Sequence, residues 1–124
     1  DFDGDGDATE GLAGEIATMA DALYAAMQAN ALANADAAAI VYDSHAYPYF
    51  FIDTNENGVS DGPSEANYGN QYNTWTPRLL RAAYNYQYAA KDPGAFAHNG
   101  KYDLQVLYDS LEDIGGSVAG LTRP

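Results

Sequence analysis

A chain of 124 residues is the size of one domain, and 47% hydrophobic content gives it the material for a core. Eighteen Asp and Glu against five Lys and Arg leave a formal charge of -13, which opposes phosphate backbones and anionic lipid and favours cations, so nucleic acid and membrane surfaces are poor partners. The absence of cysteine removes disulfides, thiol catalysis, zinc–thiolate sites and any C-x-x-C-H attachment of a c-type haem within these residues.

No apolar run approaches the ~18 residues of a spanning helix, so no membrane span is expected. The opening on Asp1 without a methionine reads as a processed product or a piece of something longer. Residues 1–124 are expected to form a single helical domain.

In chain order, the first feature is DFDGDGDATE. Asp1, Asp3, Asp5 and Asp7 alternate, Gly6 permits a tight turn, and Glu10 stands at the entrance of the first helix. Alternate carboxylates on a turned loop aim their oxygens at one point, and a later Glu closes the shell of a hard cation. The pattern resembles the short calcium loops of extracellular calcium-binding modules. It departs from the twelve-residue EF-hand loop, whose last position is held here by Leu12, and Glu15 is the alternative closing ligand.

Residues 10–33 read as a helix. Leu12, Ile16, Met19, Leu23 and Met27 recur at spacings of three or four on an alanine-rich background, which predicts a core-facing stripe. Residues 34–40 are read as a short further helix. Residues 47–73 combine Pro48 with Gly, Asn, Asp and Tyr and keep neither a period of 2 nor of 3.6, so a long ordered loop is expected, held by a ligand or metal. Within it, DTNENGVSDGPSE repeats the acidic logic: Asp53, Asn55 and Asn57 alternate, Gly58 turns, Val59 offers its carbonyl, and Asp61 and Glu65 follow. Against the EF-hand register the final Glu is one residue late, so either the loop bulges at Gly62-Pro63 or a water completes the shell. Five or six protein oxygens on a flexible loop suit calcium better than magnesium, which keeps its waters.

Trp75-Thr76-Pro77 announces the next helix: Thr76 as N-cap, Pro77 at the first position and Trp75 stapled onto Leu80. It should run to about Ala90 and stop at Asp92-Pro93, with Leu79, Leu80, Ala83, Tyr84 and Gln87 on one face. Leu104, Leu107, Leu111 and Ile114 mark a last helix ended by Gly115-Gly116. The fold class expected is all-α: three or four helices with a long calcium-stabilised loop region and no strand.

Two histidines remain. KDPGAFAHNGKY followed by LQVLYDSLED resembles the distal-ligand segment of multihaem c-type cytochromes, WTPRLLRAAYNYQ is similar to the same family's C-terminal region, and YDSHAYPYFF resembles a second histidine segment there. The group is that of cytochromes related to octahaem hydroxylamine oxidoreductase and tetrathionate reductase, and the likeness extends over most of residues 1–114. It implies His98 and His45 as distal haem ligands, with tyrosines lining porphyrin edges. It also implies haem c attached outside this segment, on the remainder of the chain or on another cytochrome subunit, and an extracytoplasmic location that is periplasmic, cell-surface or secreted.

The function expected on that basis is an electron-transfer component. The alternative is a free-standing extracellular calcium-binding structural or adhesion module without redox role. A homo-oligomer or filament is a further assembly to consider. No Ser-His-Asp set, nucleophile elbow or H-E-x-x-H appears in the segment, so no catalytic residue is assigned and any oxidoreductase chemistry would belong to the parent assembly.

Overall fold

The computed structural model describes residues 1–92, 94, 97 and 99–124. The described elements are helix α1 (Leu12–Ala33), strands β1 (Ile40–Tyr42) and β2 (Phe50–Ile52), two short 3-10 turns (Gly62–Ser64 and Tyr68–Asn70), helix α2 (Pro77–Ala90) and helix α3 (Gly100–Asp113). The fold is mostly helical but not all-α. The chain divides into two compact units, Asp1–Ala26 with Pro77–Pro124, and Met27–Thr76.

In the first unit the leucine stripes behave as their spacing dictates. Ile16, Met19 and Leu23 on α1 and Leu104, Leu107, Leu111 and Ile114 at α3 are all buried. On α2 the buried face is Leu79, Ala82, Ala83 and Ala89. Leu80 and Tyr84, expected on that face, are instead 52% and 73% exposed; the turn of 100° per residue that buries Leu79 and Ala83 carries their neighbours outward. The small alanines let α2 lie close to α3, where Asn85 donates from Nδ2 to Ser110 Oγ at 2.7 Å and Arg81 pairs with Asp113 at 3.3 Å. A similar closeness holds at Gly100, where an added Cβ would stand 2.7 Å from Leu12 Cδ1. Gly115, at φ +86, ends α3 in the left-handed turn that glycine tolerates, and Gly116 N–H returns to Leu111 O at 2.9 Å.

The N-terminal segment is held to α1 by one buried side chain. Glu15 is 3% exposed, and its Oε2 accepts the N–H groups of Phe2 and Asp3. At the other end of the unit, Thr122 N–H donates to Phe2 O at 2.8 Å. Asp103 on α3 is fully buried, and neither of its carboxylate oxygens has a hydrogen-bond partner among the described residues. Burial pushes its pKa up, with the negative charge of Asp92 adding to the effect.

In the second unit the stretch read as a short helix over 34–40 is a turn leading into β1, and the long loop over 47–73 contains β2 and both 3-10 turns. Ile40, Val41, Phe50 and Phe51 decide this: β-branched and aromatic residues pair antiparallel in the register Ile40↔Ile52, Val41↔Phe51 and Tyr42↔Phe50. Val41, Phe51 and Ala66 form a small core under the hairpin. Asn70 Nδ2 donates to Ile52 O at 2.9 Å and to Glu65 O at 2.8 Å, fastening the following segment to β2. Trp75 packs edge-on against Phe50 and Tyr72, with ring centroids at 5.6 and 4.8 Å.

Two outcomes follow for stability. Asp103→Leu removes a buried charge at similar volume and should raise the melting temperature at neutral pH. A raised folded-state pKa favours folding most when the acid is protonated, so wild type should lose this difference below the ordinary Asp range and show it as pH rises through the elevated pKa. Glu15→Ala leaves two amides of the N-terminal segment without their acceptor; the cost should be about 1–3 kcal/mol in urea unfolding, with faster hydrogen exchange at Phe2 and Asp3.

Candidate metal centres

The first acidic loop turns at Gly4 (φ +74) and Gly6 (φ +95). One oxygen each from Asp1, Asp3 and Asp5 lies within 4.8 Å of the others, and the same holds for Asp3, Glu10 and Glu15. Asp3 links the two groups. Its Oδ1 accepts Asp5 N–H at 3.2 Å, while its Oδ2 and Glu10 Oε1 are buried with no hydrogen-bond donor among the described residues. Burial raises the pKa of Glu10, and the charge of Asp3 raises it further. Asp7 is turned away: its Oδ1 accepts Thr9 N–H at 2.8 Å and Thr9 Oγ1–H at 2.6 Å, and those bonds lower its pKa. Glu15, the alternative closing residue, reaches the group with oxygens already engaged on the loop backbone.

In the middle loop, Asp53 is fixed by its own N–H, which donates to Ala39 O at 2.9 Å directly after β2. Its Oδ2 accepts Gly58 N–H at 2.8 Å, and its Oδ1 is buried without a partner among the described residues. Gly58 has φ +81, the left-handed turn expected of the sixth residue of a calcium loop counted from Asp53. Asn55 Oδ1 accepts Asn57 N–H at 3.3 Å and Asn57 Oδ1 accepts Val59 N–H at 3.1 Å, so alternate side chains fold inward along the turn. Asn55 and Asn57 both donate from Nδ2 to Asp61, at 2.6 Å and at 3.2 to 3.3 Å. Val59 is 60% exposed.

Glu65 is 1% exposed. Its Oε2 accepts Thr54 N–H at 3.0 Å and Thr54 Oγ1–H at 3.2 Å, and its Oε1 accepts Asp61 N–H at 3.2 Å. The 3-10 turn Gly62–Ser64 follows Asp61 and leads Glu65 back onto the loop. Groups of three carboxylates within 4.8 Å occur only in the first loop among the described residues. The middle loop has amide and carbonyl oxygens where the first has carboxylates.

His45 stands in the turn between β1 and β2 with its side chain 92% exposed. Asp43 Oδ1 accepts His45 N–H at 2.9 Å and lies 3.1 Å from His45 Nδ1. Asp43 Oδ2 accepts Ser60 Oγ–H at 2.6 Å. These bonds, the Ser60 hydroxyl first, lower the Asp43 pKa and keep it ionised. His98 lies outside the described residues. Tyr47, Tyr68, Tyr84 and Tyr102 are all more than half exposed, so flat aromatic surface is available on both units.

Sequence reasoning passed over Asp43, Ser60 and Asp103. For Asp43 a signal existed, since an Asp two residues before a His in a turn caps that residue's N–H. Ser60 is seventeen residues away, and Asp103 falls on a helix where an acidic residue ordinarily faces water.

No protein-family profile and no solved structure matches the chain. Curated proteins do. The chain is 34% identical over 82 residues to the C-type polyheme cytochrome OmcC of Geobacter sulfurreducens, a match covering 60% of this chain and 10% of that protein. The C-type polyheme cytochrome OmcB of the same organism matches at 34% over 82 residues, covering 60% of this chain and 11% of that protein. The chain thus spans about a tenth of the length of these relatives, and over the matched segment it is homologous to part of a polyhaem c-type cytochrome.

Proposed function

We propose that this chain is the C-terminal part, or a docked subunit, of a multihaem c-type cytochrome, where it serves electron transfer by supplying distal imidazoles and calcium-stabilised loops. The homology to polyhaem cytochromes carries the reading. The finer placement, among cytochromes related to octahaem hydroxylamine oxidoreductase and tetrathionate reductase, rests on the KDPGAFAHNGKY, YDSHAYPYFF and WTPRLLRAAYNYQ segments.

The residues present fit both groups. An axial imidazole needs one nitrogen held by a carbonyl or carboxylate and the other free, and His45 has Nδ1 against Asp43 and an exposed ring. His98 is the second ligand by sequence context. Haem c, its porphyrin joined by thioether bonds to cysteines outside this cysteine-free segment, would supply the one-electron chemistry. The chain's own residues orient imidazole and keep the surrounding backbone rigid.

For calcium, the buried unpartnered oxygens Asp3 Oδ2, Glu10 Oε1 and Asp53 Oδ1 are the support. A desolvated carboxylate oxygen without a donor is costly, and a hard cation offsets that cost. Asp1, Asp3, Asp5 and Glu10 would hold the first ion, and Asp53, Asn55, Asn57, the Val59 carbonyl, Asp61 and Glu65 the second; Asp7 would have to leave Thr9 to join. Millimolar calcium outside the cytoplasm suits loops of this kind, so an extracytoplasmic location is part of the proposal. No helix among the described residues is long and apolar enough to cross a membrane.

Calcium at a hundredfold excess over Kd should stabilise the chain by about 3 kcal/mol. Asp53→Ala and Asp5→Ala should each remove a share of the rise in melting temperature, and a melt indifferent to chelator would count against both loops. In the haem-bearing assembly, His45→Ala and His98→Ala should each convert one haem from bis-histidine to five-coordinate or water-ligated iron that binds carbon monoxide when reduced. A native protein without haem absorbance would leave a free-standing calcium module as the better account.

A further inference from the structure

We infer that Asp43 and Ser60 are positioning residues for His45, through which the fold of the middle acidic loop determines which imidazole nitrogen is left free. The inference rests on the reading of His45 as an axial ligand and of the middle loop as a cation site, and it adds a physical connection between them.

Asp43 is well placed for the task. It lies at the exit of β1, its N–H donates to Tyr49 O at 2.8 Å across the hairpin turn, and its side chain is only 12% exposed. Its two oxygens have separate duties. Oδ1 serves His45, taking the backbone N–H at 2.9 Å and facing Nδ1 at 3.1 Å, while Oδ2 serves Ser60 Oγ at 2.6 Å. An ionised carboxylate only accepts, so the ring nitrogen facing it carries the hydrogen, and in the neutral imidazole the lone pair is then on Nε2.

Ser60 supplies the second half of the connection. It sits between Val59 and Asp61, so its position is a property of the loop that Asp53 and Glu65 fasten at Gly58 and Asp61. Its Oγ also accepts Gly62 N–H at 3.3 Å, tying it to the 3-10 turn that carries Glu65. Without the hydroxyl, Oδ2 loses its anchor and the carboxylate is held only through Oδ1 by the His45 backbone N–H at 2.9 Å, about which it can turn, since the terminal torsion of Asp is broad. Oδ1 then no longer faces the ring reliably. A disordered loop has the same effect as a missing hydroxyl, so loop order is read out at an exposed imidazole.

The test reads the tautomer directly. Long-range proton–nitrogen correlation spectra of the labelled 124-residue chain, at a pH where the imidazole is neutral, separate Nδ1-protonated from Nε2-protonated His45. Wild type in calcium should show the Nδ1-protonated signature. Asp43→Asn and Ser60→Ala should lose its predominance, and Ser60→Thr, which restores the hydroxyl, should recover it. A purely structural role for Ser60 would alter the melt without changing the tautomer. Identical signatures in wild type and Ser60→Ala overturn the inference, as does an unchanged signature on chelation when calorimetry shows that calcium had bound. Failure of the underlying reading looks different: no heat of calcium binding, or haems that keep every ligand in His45→Ala, with the tautomer result of Ser60→Ala still standing.

Discussion

Two buried glutamates, Glu15 and Glu65, do the same thing in the two units: each leaves solvent almost entirely and turns its oxygens onto backbone N–H groups of an acidic loop. Neither loop has enough apolar material to fold by burial. Each is shaped instead by a carboxylate that takes the place of a backbone acceptor. The orientation of Asp1, Asp3 and Asp5 follows from Glu15 holding Phe2 and Asp3, and that of Asp61 follows from Glu65.

That solution has an electrostatic cost. In a chain of formal charge -13, Asp3, Glu10 and Glu15 come within 4.8 Å of each other, and repulsion together with burial raises the pKa of Glu10. The middle loop spreads its charge with asparagines at positions 55 and 57, whose amide N–H groups offset Asp61. The two loops are therefore unequal: the first brings its carboxylates within 4.8 Å of one another, and the second keeps its acidic side chains apart and hydrogen-bonded to amide groups.

The three helices were legible because their apolar residues recur every three or four positions and because Pro77 and Gly115 punctuate them. The α2 face was misjudged since Leu80 and Tyr84 look like core residues by type, whereas the alanines that do face inward carry little hydrophobic signal. Both strands were missed for a related reason. Three residues each are too few to establish a period of 2, and the pairing of Ile40 with Ile52 is a tertiary fact. The acidic positions were readable from their alternation, but the buried bonds of Glu65 and the connection from Ser60 to Asp43 cross eleven and seventeen residues and leave no local trace.

Gly100 illustrates a different kind of constraint. It lies in the first turn of α3 with ordinary helical geometry, so any residue could adopt its backbone angles. What crowds a side chain there is the end of Leu12, whose Cδ1 would stand 2.7 Å from the Cβ and would have to move aside. The hydrogen acts as a spacer that sets how closely the start of α3 approaches the start of α1, three residues before Glu15. Tolerance to substitution at position 100 is thus governed by distance and not by torsion. An alanine there, harmless in an isolated helix, would have to displace the Leu12 methyl at the start of α1.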